Sequence, residues 1–187
     1  MSETRTVHGL IYQIQPRQLL RLHAKDRIIH SCKKTGRDRM SSTIYEAAGG
    51  RQAFIALAHA WHDRCLADPI VSHAFSHGYH PKHSERLAAY WAEALGGPAD
   101  YTTSMGNQSD VVRMHSGNGE HVDMDERALV CFAQALDDAG IPDEPRLRAA
   151  LKAYFRWANH AMSAYPESRQ RVPAGLALAK WSWDGPA

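Results

Sequence analysis

Histidine is the residue type through which this chain is best equipped to do chemistry. There are twelve histidines, and six of them (His59, His62, His73, His77, His80 and His83) fall within one stretch of 25 residues. An imidazole titrates near neutral pH and binds transition metals through a neutral ring nitrogen, so such a cluster points to proton transfer or to a metal centre. His115 stands apart, just before the glycine-rich Ser116-Gly117-Asn118-Gly119. Histidines facing one another across a helical bundle would suit a di-iron protein, which is one reading of residues 59–83. Bundle sites of that kind want inward carboxylates and Glu-x-x-His pairs, and His59, His62, His80 and His83 have no Glu three residues before them. Cys32, Cys65 and Cys131 show neither CxxC nor zinc-type spacing and read as reduced, structural thiols.

The elements that must position these histidines are helices. A chain of 187 residues, 44% of them hydrophobic, is long enough for one domain with an ordinary core. No stretch approaches the roughly 18 uninterrupted apolar residues of a membrane span, and the N-terminus lacks the apolar run of a secretory signal, so a cytoplasmic protein is expected. The formal charge of +2 hides an asymmetry: residues 1–39 carry nine Lys or Arg against three acids, a surplus of six, which leaves a deficit of four on the remainder. Residues 1–39 are therefore read as a basic, flexible extension, and residues 40–187 as the folded domain with its C-terminal tail. Leu19, Leu20, Leu22, Ile28 and Ile29 form one amphipathic turn set in the extension; contact with nucleic acid or an anionic membrane is the minor reading of that arm.

From Thr43 onward the apolar residues recur at helical spacing and no segment alternates with period two, so the fold class is all-α. The pattern predicts a short helix over 44–48 closed by Gly49-Gly50, and a longer one over 52–67 ended by Asp68-Pro69. An apolar piece at 70–75 and a loop at 76–80 follow, then a helix from Pro81 to about Leu95, stopped by Gly96-Gly97-Pro98. Residues 99–106 read as loop, 110–115 as a short helical segment, 123–139 and 144–165 as the last two long helices. The final twenty residues, with Trp181 and Trp183, read as an irregular tail that packs back.

In this order, Ile44-Tyr45-Glu46-Ala47-Ala48-Gly49-Gly50, Asp63-Arg64-Cys65-Leu66-Ala67-Asp68-Pro69, Glu85-Arg86-Leu87, Ala94-Leu95-Gly96-Gly97-Pro98, Tyr101 and Arg113-Met114-His115 resemble the truncated hemoglobins, most closely their second group. The resemblance covers residues 43–165. It implies a two-over-two helical sandwich holding heme b, with a diatomic gas (O2, NO or CO) or peroxide as the small-molecule partner. Peroxidase or NO dioxygenase activity is one option it carries; no flavin or nicotinamide motif is present, so a separate reductase would supply electrons. Nucleic acid is not expected as a partner of the domain, and the oligomeric state is left open, a dimer among the options.

Carried over residue by residue, the resemblance makes His115 the iron ligand, with Met114 beside it. Phe75 falls where the family lays an aromatic ring against the heme. Leu87 would line the distal side, and His83 lies at the i, i+4 spacing on the same helix face. Tyr90 and Trp91 are counted with the cofactor contacts, with plain core packing as the stronger alternative, and His80 sits near the entrance to that helix. Two departures bear on reactivity. Where the family usually has a distal tyrosine after an aromatic residue, Trp61 is followed by His62, and where second-group members carry a sixth-helix tryptophan, the alignment from His115 puts Ala128, with Leu129 next. The distal polar roles, and any acid–base catalysis, then fall to His62 and His83.

Overall fold

The computed structural model describes residues 42–187, and the basic leader, its amphipathic set and Cys32 lie outside them. Helix α1, Ile44–Ala48, opens on a reciprocal cap: Thr43 Oγ1 accepts the Glu46 N–H at 3.1 Å and Glu46 Oε2 accepts the Thr43 N–H at 3.0 Å. The expected double-glycine turn follows, with both glycines at positive φ, 109° at Gly49 and 69° at Gly50. Helix α2, Gly50–Ala67, ends at Asp68, whose carboxylate accepts the N–H groups of Ile70 and Val71 and so starts the 3-10 turn Val71–Phe75. The same carboxylate holds Arg127 of helix α6, Val122–Asp138, which ties the two elements together.

Helices α2 and α3 (His83–Ala94) pack as one pair, α6 and α7 (Pro145–Met162) as the other, and an aromatic cluster joins them. Trp61 of α2 and Trp91 of α3 meet edge to face at 5.6 Å. Both turn an edge to Phe155 of α7, which stacks on Phe132 of α6 at 4.1 Å. Such a core is the two-over-two helical sandwich.

Several boundaries differ from the sequence reading. The segment 99–106, expected as loop, contains helix α4, Asp100–Ser104. Its single turn is set by tertiary contacts: Tyr101, 4% exposed, packs edge-on against Tyr90 at 5.2 Å, and Asp100 pairs with Arg51. Helix α3 starts at His83 rather than Pro81, because the Lys82 N–H donates to His80 Nδ1 and leaves the proline in a turn. Helix α5, Gln108–Met114, begins earlier than expected on an Asn107 cap, and α7 stops at Met162 rather than Tyr165. The tail packs back as expected, Trp181 lying on Tyr154 and Trp157, but it is not wholly irregular: β1 (Trp181–Ser182) and β2 (Gly185–Pro186) pair antiparallel.

Candidate functional site

His115 is the residue that ends α5. Its Nδ1 lies 2.8 Å from the carbonyl oxygen of Val111, one turn back. A carbonyl can only accept, so Nδ1 carries the proton and the Nε2 lone pair is left to bind a metal. The buried Ser116 donates its hydroxyl to the Val112 carbonyl at 2.7 Å, which satisfies a second acceptor at the end of the same helix. Met114, beside the histidine, is 69% exposed, an unusual position for a large apolar side chain.

A box of four rings lies between α2 and α3. His62, 6% exposed, presents an edge to Phe75 at 4.9 Å and to Tyr79 at 4.6 Å, and its ring centre is 4.8 Å from that of His83. Phe75 and Tyr79 each contact the His83 ring as well. Within this box His62 Nε2 and His83 Nδ1 are buried and have no hydrogen-bond partner. A buried polar atom left unpaired costs on the order of 1–3 kcal/mol, so two in contact mark a place where a ligand completes the chemistry. Burial lowers the pKa of His62, with His59 adding to the effect and Asp63 opposing it. Burial brings that of His83 down to about 4, helped by the neighbouring His62, His115 and His80. His83 is thus a neutral base at pH 7.

The other nominated residues divide. Phe75 belongs to the box. Leu87, one turn beyond His83, is half-buried against the core. His80 is exposed and spends its Nδ1 on the Lys82 N–H at 3.0 Å. Tyr90 and Trp91 are core residues: Trp91 sits in the aromatic cluster, while the Tyr90 hydroxyl donates to Gln108 Oε1 at 2.8 Å and so links α3 to α5. Ala128, which the alignment put in place of a tryptophan, is buried on α6, and the carbonyl oxygen there accepts the Trp61 indole N–H at 3.3 Å. An indole therefore does reach this wall, from α2 rather than α6, with its donor already engaged. Tyr79 was missed, since a tyrosine between Gly78 and His80 in an exposed loop carries no periodic signal. That loop brings the Tyr79 phenol edge-on against the His62 ring. Among the described residues no three His, Cys, Asp or Glu side chains converge as ligands for a metal ion, which leaves the di-iron reading without a centre.

A match to the family described as bacterial-like globin spans residues 43–163. The chain belongs to the bacterial-like globin family. This globin is 31% identical over 105 residues to the group 1 truncated hemoglobin GlbN of Mycolicibacterium paratuberculosis, covering 55% of this chain and 72% of the relative. Among solved structures it resembles the hemoglobin of Chloroflexus aurantiacus, at 29% identity and a TM-score of 0.56 over 65% of this chain and 98% of the other. The group II truncated hemoglobin of Bacillus anthracis shares the fold, with a TM-score of 0.59 at 22% identity over 70% of this chain and 97% of that one. The globin is thus a truncated, heme-binding one, with a tail beyond residue 163 that the family match does not reach. Its donor set fits heme: one imidazole with Nδ1 held and Nε2 free, an aromatic ring at Phe75, and two buried imidazole nitrogens awaiting partners. No helix among the described residues is long and apolar enough to cross a membrane.

Proposed function

We propose that this globin holds heme b through Nε2 of His115 and handles a diatomic gas or a peroxide on the side lined by His62, His83, Phe75 and Leu87, with redox turnover favoured over simple storage. The observation that carries the reading is the pair of contacting imidazoles whose His62 Nε2 and His83 Nδ1 lack partners. When bound, heme supplies an iron that coordinates O2, NO, CO or peroxide and exchanges electrons with it. Met114 and His80, both exposed, are assigned in this reading to the rim of the heme.

The protein's part is proton handling and orientation. His115 presents one nitrogen because Val111 holds the other, and that hydrogen bond makes the free nitrogen a better electron donor. His83, neutral at pH 7, can take a proton from a peroxide oxygen at one ring nitrogen and return it to the departing hydroxyl, as a general base and then acid. His62, in contact with it, can donate from the opposite side of the box or pass the proton on. Phe75 and Tyr79 crowd these rings and limit water around them. Electrons for repeated turnover come from a separate reductase.

Stopped-flow peroxide reactivity and CO and O2 binding, measured on the wild type and on His62→Leu and His83→Leu, test the reading. Peroxide reactivity should fall by about 10² or more when the base is lost, the range ordinarily supplied by a positioned acid–base group. Unchanged peroxide and gas kinetics in both variants would remove the two histidines from the function.

A further inference from the structure

The segment after residue 163 lies outside the family match, yet it makes a run of contacts with the helix that ends in His115. Near the start of α5, the buried Ser109 Oγ accepts the Leu176 N–H at 3.0 Å. In the last turn, Arg113 donates to the carbonyl oxygens of Val172 and Pro173, both at 3.4 Å. Directly after His115, the N–H groups of Gly117 and Gly119 donate to the Tyr165 and Pro166 carbonyls at 3.0 and 2.9 Å. Gly117 is also at φ 77°, and a Cβ there would come within 3.3 Å of the Arg169 nitrogen, so the turn after the histidine rests directly on the tail backbone.

The tail then reaches the opposite helix. Lys180 Nζ lies 3.0 Å from Glu93 Oε1 on α3, the helix that begins with His83. Glu93, with its side chain only 3% exposed, also accepts the backbone N–H and the hydroxyl of Thr102, at 2.9 and 2.6 Å. Burial pushes this carboxyl up, but the bonds from Thr102 and Lys180 outweigh it and hold the pKa below its ordinary value, so Glu93 stays ionised. Beyond it, Trp181 packs on α7 and Trp183 donates its N–H to the Ser42 carbonyl at 2.7 Å, which anchors the far end.

We infer that residues 165–183 form a strap that sets the position and mobility of α5, and hence of His115, relative to α3, with Ser109 and Lys180 as its positioning residues. A short helix of seven residues has little stability of its own and takes its rigidity from what it is bonded to. The strap bonds it near its start, in its last turn and just after it, and returns through the ion pair of Lys180 with the buried Glu93 to the helix on the facing side. Iron held by His115 would be displaced or released as the strap loosens, so the heme-dependent part of the inference rests on the function proposed above.

Two point variants in the full chain, Ser109→Ala and Lys180→Gln, test it, since a chain cut at residue 172 would lose the packing of both tail tryptophans and could fail to fold for that reason alone. Hydrogen exchange of the α5 amides, read without heme, should accelerate about tenfold in each variant, the factor that one lost hydrogen bond of ordinary strength represents, while α6 amides keep their protection. In the ferrous heme-loaded protein the iron–histidine stretching band should shift or broaden, and Lys180→Arg should restore it. Lowered thermal stability with unchanged α5 exchange and an unchanged band would reduce the tail to a covering of the surface and overturn the strap. Heme failing to bind while α5 exchange still responds would sink the proposed function and the strap's effect on iron, but not the strap.

Discussion

In the proposed function His115 and the His62–His83 pair divide the work between two kinds of imidazole. The Val111 carbonyl occupies one nitrogen of His115, so that side chain is committed to a single role. His115→Gly should abolish stable heme retention, and millimolar imidazole should restore the Soret band by filling the gap, as a spectrophotometric titration would read. The distal pair is poised instead by burial. Folded His83 accepts a proton only near pH 4, whereas the unfolded side chain accepts one near its ordinary value of 6.5. Below pH 6.5 the unfolded chain therefore binds more protons, so apoprotein stability should fall as pH drops, levelling off below about 4. Urea midpoints across that window would check this, and His83→Leu should flatten the slope. A slope unchanged by the substitution would assign it to other groups.

Single turns and caps decide the geometry at the scale of elements. Asp68 ends α2, starts the turn that carries Phe75, and holds Arg127 of α6, so one carboxylate aligns three elements around the site. Gly96 closes α3 at φ 94°, and a Cβ there would fall 2.7 Å from the Thr43 Cβ of the α1 cap. Gly96→Ala should therefore combine left-handed backbone strain with a clash and destabilise by about 2 kcal/mol or more, lowering Tm by several degrees in calorimetry. An unchanged Tm would show that the α1 cap moves aside freely. The same contact was latent in the Gly96-Gly97-Pro98 landmark, which marked a helix stop but could not name its neighbour.

The whole molecule is a two-over-two sandwich whose candidate site is assembled from distant parts: α2 and α3 bring His62 and His83, α5 ends in His115, and the C-terminal segment bonds to α5. Heme binding should raise global stability by mass action, since it engages the folded chain and not the unfolded one. Thermal denaturation of apo and heme-loaded protein should show a Tm difference that shrinks strongly in His115→Gly. An equal gain in wild type and variant would place the heme away from His115.

Helical periodicity, the double-glycine stops and the spacing of His115 from the earlier landmarks were legible along the chain, because each depends on backbone preference or on a fixed number of residues. They determined the all-α class and the order of the helices, and through the family resemblance they singled out His115 as the candidate iron ligand. Among residues 59–83 the resemblance already pointed to His62 and His83, but the residue types alone did not, since all six histidines share the same chemistry and it is burial that separates those two from the exposed His59, His73, His77 and His80. Helix α4 was hidden because five residues carry no period, and Tyr101 forms its turn only by burying against Tyr90. Tyr79 and the tail contacts to Ser109, Arg113 and Glu93 were equally silent, being hydrogen bonds and ring contacts between residues far apart in the chain or in irregular backbone. The sequence by itself determined the helical class and the order of its elements; the tertiary structure alone decided that His62 and His83 are brought together with buried, unpaired nitrogens and which α5 residues the tail bonds, because burial and long-range hydrogen bonds exist only once the chain has closed on itself.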